Sequence, residues 1–276
     1  MTDDYTVGTV YLNVSNLDTM LAFYQENIGL RVHDQYDNQA SLGAGADDLL
    51  VLTETPDRIH NPHATGLFHL AILVPDRAQL AKSFQHLVET KTRLQGLSEH
   101  LVSEAIYLAD PDGNGIEIYR DRPREAWYKN GQFQLTTTRM DVDGVMSALD
   151  GQDATWQGLP KDTIMGHIHL HVSQIPQTEA FYHDVLGMDT MANMGSATFM
   201  SYDGYHHHLG ANIWGGRQRR TGHELGLEKY DLHIPEQQLE VILVQAEKNN
   251  ITITESNGAY TLLDPSNTQI ILQISS

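Results

Sequence analysis

A segment of this chain occurs twice at a constant offset, and this repeat limits the possible folds more than any other feature. Val14 to Gly29 recurs as Val172 to Gly187, with a Val-Ser start, a central Phe-Tyr pair and a final Gly in both copies. Each copy has the pattern of a strand, a short turn and an amphipathic helix that ends at Gly. The repeat predicts a duplicated architecture.

A weaker repeat lies after each of these copies. Phe68 to Pro75 precedes a helix-like apolar pattern, and so does Lys229 to Pro235. The pair Asp110-Pro111 has its counterpart in Asp264-Pro265. We therefore predict four modules, each a strand, a helix and about three further strands. They begin near residues 8, 66, 166 and 227.

Strands combined with single helices in each module predict an α+β protein. The N-terminal half, residues 1–122, contains modules one and two. A connector, residues 123–162, contains Pro123, Gly131 and Pro160. The C-terminal half, residues 163–276, contains modules three and four.

Composition excludes several classes of function. A net charge of -19 argues against nucleic-acid binding, which needs concentrated Lys and Arg. No apolar run approaches the roughly 20 residues that span a bilayer, and the N-terminal residues do not form a secretory signal. We expect a cytoplasmic protein with no membrane partner. With no Cys, disulfides and thiolate sites are excluded, so any metal must bind to His and carboxylates, a donor set that suits Fe, Mn, Zn or Ni.

The segment from His100 to Glu117 is the strongest candidate for chemistry. It places His100, Tyr107 and a carboxylate around an Asp-Pro-Asp-Gly turn between two strand-like patterns. Glu117 lies in Gly-Ile-Glu-Ile-Tyr, where burial of its carboxylate without a partner is costly. The turn alone is weak evidence, because the same residues form ordinary turns.

Histidines on two other predicted strands can complete a metal site. His69 follows Phe68 in an apolar strand, where a single histidine is more often a packed core residue than a ligand. His167 stands in His-Ile-His-Leu-His, where the alternation of a strand places His167, His169 and His171 on one face.

The four modules resemble the βαβββ modules of the vicinal oxygen chelate superfamily, which includes glyoxalase I, fosfomycin-resistance proteins and type I extradiol dioxygenases. The resemblance covers nearly the whole chain apart from the connector. It implies that the four modules form two open mixed-sheet barrels. It also implies that two modules close around one metal-binding cavity.

Members of this superfamily place metal ligands on the first and last strands of a module. When the four first strands are aligned, one equivalent position is occupied by Thr9, His69, His167 and Lys229, in chain order. In the last strands, Glu117 falls opposite Ile271. Only modules two and three together supply two histidines and one carboxylate, so the resemblance implies that His69, His167 and Glu117 bind the metal between them. Modules one and four form a second, metal-free barrel, and His169 is the alternative to His167.

Residues 98–117 resemble the ring-cleavage signature of extradiol dioxygenases: a His, an aliphatic-Tyr pair, an acidic-Pro-x-Gly turn and a ligand Glu. The matching residues are His100, Ile106, Tyr107, Asp110, Pro111, Gly113 and Glu117. Ser98 departs slightly from the usual residue two positions before the His. The resemblance implies that His100 and Tyr107 hydrogen-bond the substrate and the oxygen atoms that change charge.

Extradiol enzymes also carry an acid–base histidine on a strand of the partner module, which corresponds here to His206-His207-His208. Matching from Gly204 favours His208, whereas matching the apolar residues that follow favours His207; we rank His208 first and His207 second. The resemblance implies an extradiol dioxygenase with Fe(II), or with Mn(II) as the alternative metal, acting on a small aromatic diol and O2. Homo-oligomers are common in the superfamily, and self-association is an expectation.

Three alternatives stay open. The substrate can be a hydroquinone in place of a catechol. The protein can be a glyoxalase-like isomerase or thiol transferase that uses His208 as a fourth ligand to Zn, Ni or Mn. It can also be a non-catalytic binding protein, although members of that kind lack the metal ligands.

Overall fold

A computed structural model describes residues 4–275 and contains the four predicted βαβββ modules. Module one comprises β1 (Thr6–Val14), α1 (Leu17–Phe23), β2 (Arg31–Tyr36), β3 (Gln39–Gly43) and β4 (Asp48–Glu54). Module two comprises β5 (Gly66–Leu73), α2 (Arg77–Glu89), β6 (Leu94–Glu99), β7 (Ser103–Ala109) and β8 (Gly115–Asp121).

The connector contains short elements only. They are a 3₁₀ turn (Arg124–Trp127), β9 (Tyr128–Lys129), β10 (Gln132–Phe133), β11 (Thr138–Arg139), α3 (Val142–Met146) and a second 3₁₀ turn (Ser147–Leu149). Module three follows with β12 (Ile164–His171), α4 (Ile175–Ala180), β13 (Asp189–Asn193), β14 (Ala197–Ser201) and β15 (Leu209–Asn212). Module four has β16 (Gly226–Ile234), α5 (Glu236–Lys248), β17 (Thr254–Ser256), β18 (Ala259–Leu263) and β19 (Gln269–Ile274). The α+β prediction is confirmed.

The helices of modules one and three share an irregularity. Each continues into a π-helical turn, Tyr24–Ile28 after α1 and Phe181–Val185 after α4. Gly29 ends the first turn in the left-handed region (φ 88°), a conformation that glycine adopts without a steric penalty. Among the residues that the structure describes, no helix is long and apolar enough to cross a membrane.

Two large mixed sheets contain the strands of the modules. The eight-stranded sheet holds strands of modules one and four, and the nine-stranded sheet holds those of modules two and three together with β11. In modules two, three and four the first strand pairs in parallel with the last. A parallel pairing of this kind requires a crossover, which the helix and the two middle strands of the module provide.

The chain folds as two compact units. One comprises the described residues up to Ser15 together with Thr55–Phe68 and the residues from Gly166 onward. The other comprises Asn16–Glu54 and His69–Met165. Each unit has its own buried apolar side chains, so each satisfies the requirement for a hydrophobic core.

Both units contain the same buried contact between a tyrosine and the aspartate of an Asp-Pro turn. In one unit, Tyr24 Oη donates to Asp110 Oδ2 at 3.0 Å. In the other, Tyr182 Oη lies 3.4 Å from Asp264 Oδ2. Burial raises the pKa of both Asp110 and Asp264 to about 6. Because each tyrosine comes from a π-helical turn, this turn links helix to sheet in both units.

Candidate metal centre

The first pair of predicted ligands lies on two neighbouring parallel strands. β5 and β8 pair with His69 opposite Gly115 and Ala71 opposite Glu117, which brings His69 and Glu117 diagonally together. His69 Nε2 lies 3.0 Å from Glu117 Oε2. Both side chains are buried, with 5% and 3% of their surface exposed. A buried carboxylate requires partners of this kind.

His167 on β12 completes a group of three potential ligands. Each of His69, Glu117 and His167 offers one ligand atom, and these atoms all lie within 4.8 Å of one another. His167 is also buried, with 1% of its surface exposed. Two imidazole nitrogens and one carboxylate oxygen form a donor set that suits a divalent ion such as Fe(II), Mn(II) or Zn(II). The residues present therefore fit a metal.

Tyr107 and His100 connect this group to the polypeptide backbone. Tyr107 on β7 is the register partner of Glu117 on β8 and hydrogen-bonds its carboxylate. Burial, and then the charge of Glu117, raise the pKa of Tyr107 well above its usual value, so the phenol keeps its proton. His100 Nε2 lies 2.8 Å from Tyr107 Oη, and its Nδ1 lies 2.9 Å from the Thr136 carbonyl. Since that carbonyl only accepts, His100 donates from Nδ1.

His207 lies beside a predicted ligand. The centroids of the His207 and His167 rings are 4.1 Å apart. His206 Nδ1 lies 2.8 Å from His207 Nδ1, so one of these nitrogens donates and the other accepts. All three rings are buried. His207 is therefore held between a second histidine and a potential ligand.

His208 has different surroundings. Its Nδ1 accepts a hydrogen bond from the Tyr202 N–H at 3.2 Å and lies 2.9 Å from Ser201 Oγ. Its ring centroid is 4.9 Å from that of Tyr205. Burial lowers the pKa of His208 to about 3, so the imidazole is neutral. The histidine triplet precedes β15 and is not part of a strand, so strand alternation does not govern which way its side chains point.

His169, the alternative ligand, is held by a residue that the sequence analysis did not consider. Asn212 at the end of β15 bonds His169 Nε2 at 3.0 Å and His171 Nδ1 at 2.8 Å. His169 does not belong to the group of three ligand atoms described above. An asparagine among small apolar residues just after the histidine triplet was the available signal, because a buried amide needs polar partners.

The chain is similar to a family model and to a relative of known name. A family model described as "Glyoxalase/Bleomycin resistance protein/Dioxygenase superfamily" matches residues 6–118. The chain is 41% identical over 273 residues to a protein of Bacillus subtilis (strain 168) called catechol-2,3-dioxygenase, with 95% of each chain covered.

Two solved structures have the same fold. A putative dioxygenase from Bacillus subtilis superposes with a TM-score of 0.65 at 11% identity, covering 99% of this chain and 86% of that one. Glyoxalase I from Zea mays superposes with a TM-score of 0.60 at 14% identity, covering 97% and 92%. At these identities the likeness concerns the fold alone.

Proposed function

This chain belongs to the glyoxalase/bleomycin resistance protein/dioxygenase superfamily, and we propose that it is an extradiol dioxygenase that opens a catechol-type ring with O2. The observation that carries this proposal is the buried group of His69, Glu117 and His167. The relative named catechol-2,3-dioxygenase, which matches over nearly the whole chain, supports it.

We propose Fe(II) as the metal and His69, Glu117 and His167 as the residues that hold it. Bound Fe(II) would supply a centre at which the diol and O2 exchange electrons. The three residues contribute a single negative charge, so they leave the site able to receive an anionic diolate. Mn(II) has the same preference for nitrogen and oxygen donors and is the alternative metal.

We assign general acid–base catalysis to His207 in preference to His208. It lies against His167, and an imidazole has a pKa suited to taking a proton from a diol hydroxyl and returning it later. The contacts of His208 with Ser201 and Tyr202 occupy its Nδ1, and its low pKa makes it a poor base at neutral pH.

Tyr107 and His100 have a positioning role in this proposal. Tyr107 donates to the carboxylate of Glu117, and His100 connects Tyr107 to the backbone at Thr136. Hydrogen bonds of this kind fix the orientation of a ligand and tune its basicity. A hydrogen bond from either group to a substrate oxygen atom would replace one of these contacts.

Anaerobic loading of the protein with Fe(II), followed by catechol and air, tests the proposal. We expect one O2 consumed per catechol, both oxygen atoms in the product, and the yellow colour of a ring opened beside the diol. O2 uptake with hydroquinone and none with catechol would change the substrate class. If the iron-loaded protein consumes no O2 with catechol and none with hydroquinone, the proposal is refuted.

A further inference from the structure

One face of β12 extends from the metal centre into a group of aromatic side chains. His169 lies two residues after His167, so the two imidazoles project from the same face of the strand. The Phe199 ring contacts both His207 (centroids 5.1 Å apart) and His169 (5.7 Å). The aromatic group therefore begins next to the proposed acid–base residue.

Two further aromatic rings continue this surface. The Phe68 ring lies against His169, with centroids 4.9 Å apart, and against Trp214, at 5.6 Å. The Trp214 ring is 5.8 Å from that of His169 and is 55% exposed. We name Phe68, His169, Phe199 and Trp214 the aromatic wall. It runs from the buried surroundings of His167 to solvent.

Asn212 fixes the orientation of the one histidine in the wall. The Trp214 backbone N–H, which can only donate, lies 3.1 Å from Asn212 Oδ1 and so defines the orientation of that amide. Asn212 Nδ2 consequently donates to His169 Nε2 at 3.0 Å. This hydrogen bond holds the His169 imidazole in place against the other rings of the wall.

The wall is held rigidly although part of it is exposed. Trp214 Nε1 donates to Ser196 Oγ at 2.9 Å, which anchors the indole that faces solvent. A Cβ at Gly210 would lie 2.7 Å from His169 Cγ, so the imidazole packs directly onto the backbone of β15. A preformed surface loses little entropy when it binds a ring.

We infer that the aromatic wall receives the ring substituent of the substrate and selects alkyl- or aryl-substituted diols over diols that carry a carboxylate. This inference rests on the proposed dioxygenase function. The four side chains present hydrophobic area and ring edges, which favour apolar groups. Phe68, Phe199 and Trp214 have no ionisable group, so a carboxylate placed against these three rings would lose hydration without gaining a counter-ion from them.

Steady-state O2 uptake of the Fe(II)-loaded protein with three diols tests the selection. The probes are catechol, a phenyl-substituted catechol and a carboxymethyl-substituted catechol. We expect kcat/KM for the phenyl-substituted diol to exceed that for the carboxymethyl-substituted diol at least tenfold. A preference for the carboxymethyl-substituted diol would overturn the inference while leaving the dioxygenase function intact.

Trp214→Ala tests the wall directly. We expect the ratio of kcat/KM for the phenyl-substituted diol to that for catechol to fall about five- to tenfold, the size of one lost aromatic contact. Tyr128→Ala is the matched control, because Tyr128 is 41% exposed and lies in the connector. An unchanged ratio in Trp214→Ala, or an equal fall in the control, would overturn the inference.

Tryptophan fluorescence separates this inference from the proposed function. Under argon, the phenyl-substituted diol should quench the emission of the exposed Trp214, and Trp214→Phe should remove most of that change. Quenching without O2 uptake on admission of air would refute the dioxygenase and retain the wall. O2 uptake together with quenching that persists in Trp214→Phe would refute the role of the wall and retain the dioxygenase function.

Discussion

Modules two and four have the same backbone plan, but only module two carries ligand-type residues. In each module the first and last strands pair in parallel, and a 13-residue helix links the first strand to the rest. Where module two has His69 and Glu117, module four has Lys229 and Ile271. Lys229 Nζ lies 4.6 Å from the ring centroid of Tyr11, so it serves packing and not coordination. The comparison shows that two modules with one backbone plan differ in the few side chains that could hold a metal.

Module four also buries a carboxylate, with a different result. Asp231 is the register partner of Ile271, and it accepts hydrogen bonds from Tyr11 Oη (3.2 Å) and Gln273 Nε2 (2.9 Å). Burial raises the pKa of Asp231 to about 6. Its two hydrogen-bond donors are neutral and Lys229 is a nearby charge, whereas Glu117 faces an imidazole. The partners of a buried carboxylate, and not its burial alone, indicate a metal ligand.

The largest difference between the modules is expected in metal retention. Glu117→Gln removes the single negative charge of the three ligands, so we expect loss of bound iron and a fall in activity of more than about 100-fold. Asp231→Asn, the matched change in module four, should retain iron at the wild-type ratio. Metal analysis after gel filtration measures both, and stoichiometric iron in Glu117→Gln would show that the ligand assignment is wrong.

The second comparison separates two adjacent histidines. His207→Gln should retain iron but lose about 100- to 10,000-fold in kcat, the usual contribution of a general acid–base group. His208→Gln should change kcat only a few-fold, because its ring packs against Ser201, Tyr202 and Tyr205. Single-turnover kinetics on iron-loaded protein measures both variants. A larger loss of kcat in His208→Gln than in His207→Gln would assign the acid–base role to His208.

A smaller effect on metal affinity or activity is expected from a substitution on β7, the strand that pairs with the strand of Glu117. Tyr107→Phe removes the hydroxyl that bonds Glu117, and we expect a loss of about 10- to 100-fold in metal affinity or activity. Thr261 is the register partner of Ile271 in module four, so Thr261→Val is the matched change. That variant should match the wild type in both measurements. Wild-type metal affinity and turnover in Tyr107→Phe would show that Tyr107 does not position Glu117.

A last prediction, measured in stability and not in activity, concerns a feature that both units share. The pKa of Asp110 and of Asp264 is about 6 in the folded protein, above the ordinary 3.8, so the folded state binds each proton more tightly. Each group therefore lowers the free energy of unfolding as pH rises from about 4 to about 6, by up to about 3 kcal/mol. Urea unfolding across this range should show that the slope contributed by each group disappears in Asp110→Asn and in Asp264→Asn. If the pH dependence of the free energy of unfolding changes in only one of these variants, the two turns are not equivalent.

The repeat was sufficient to predict the modules, because strand and helix periodicity are local properties of the sequence. The positions of His69 and Glu117 were predictable for a related reason: in a regular strand, alternation fixes the face on which a side chain lies. The sequence could not decide between His207 and His208, since the triplet lies outside the strands and its contacts with Ser201 and His167 are tertiary.

The Asp-Pro turn was part of the ring-cleavage resemblance, yet its structural role was not visible in the sequence. Asp110 bonds a tyrosine that comes from a distant π-helical turn, and helical periodicity does not predict such a turn. Asp264 makes the equivalent contact in the unit whose last strand carries Ile271. The aspartate therefore belongs to the fold, while the tyrosine and glutamate of the signature belong to the centre.

The π-helical turns also mark the order of the modules within each half of the chain. Modules one and three have the turn, while the helices of modules two and four are regular, so both halves repeat the same order of two unlike modules. Lys229 is the sequence counterpart of His69, and Thr9 is that of His167. At these positions neither half by itself supplies the two histidines and one carboxylate of the proposed metal group.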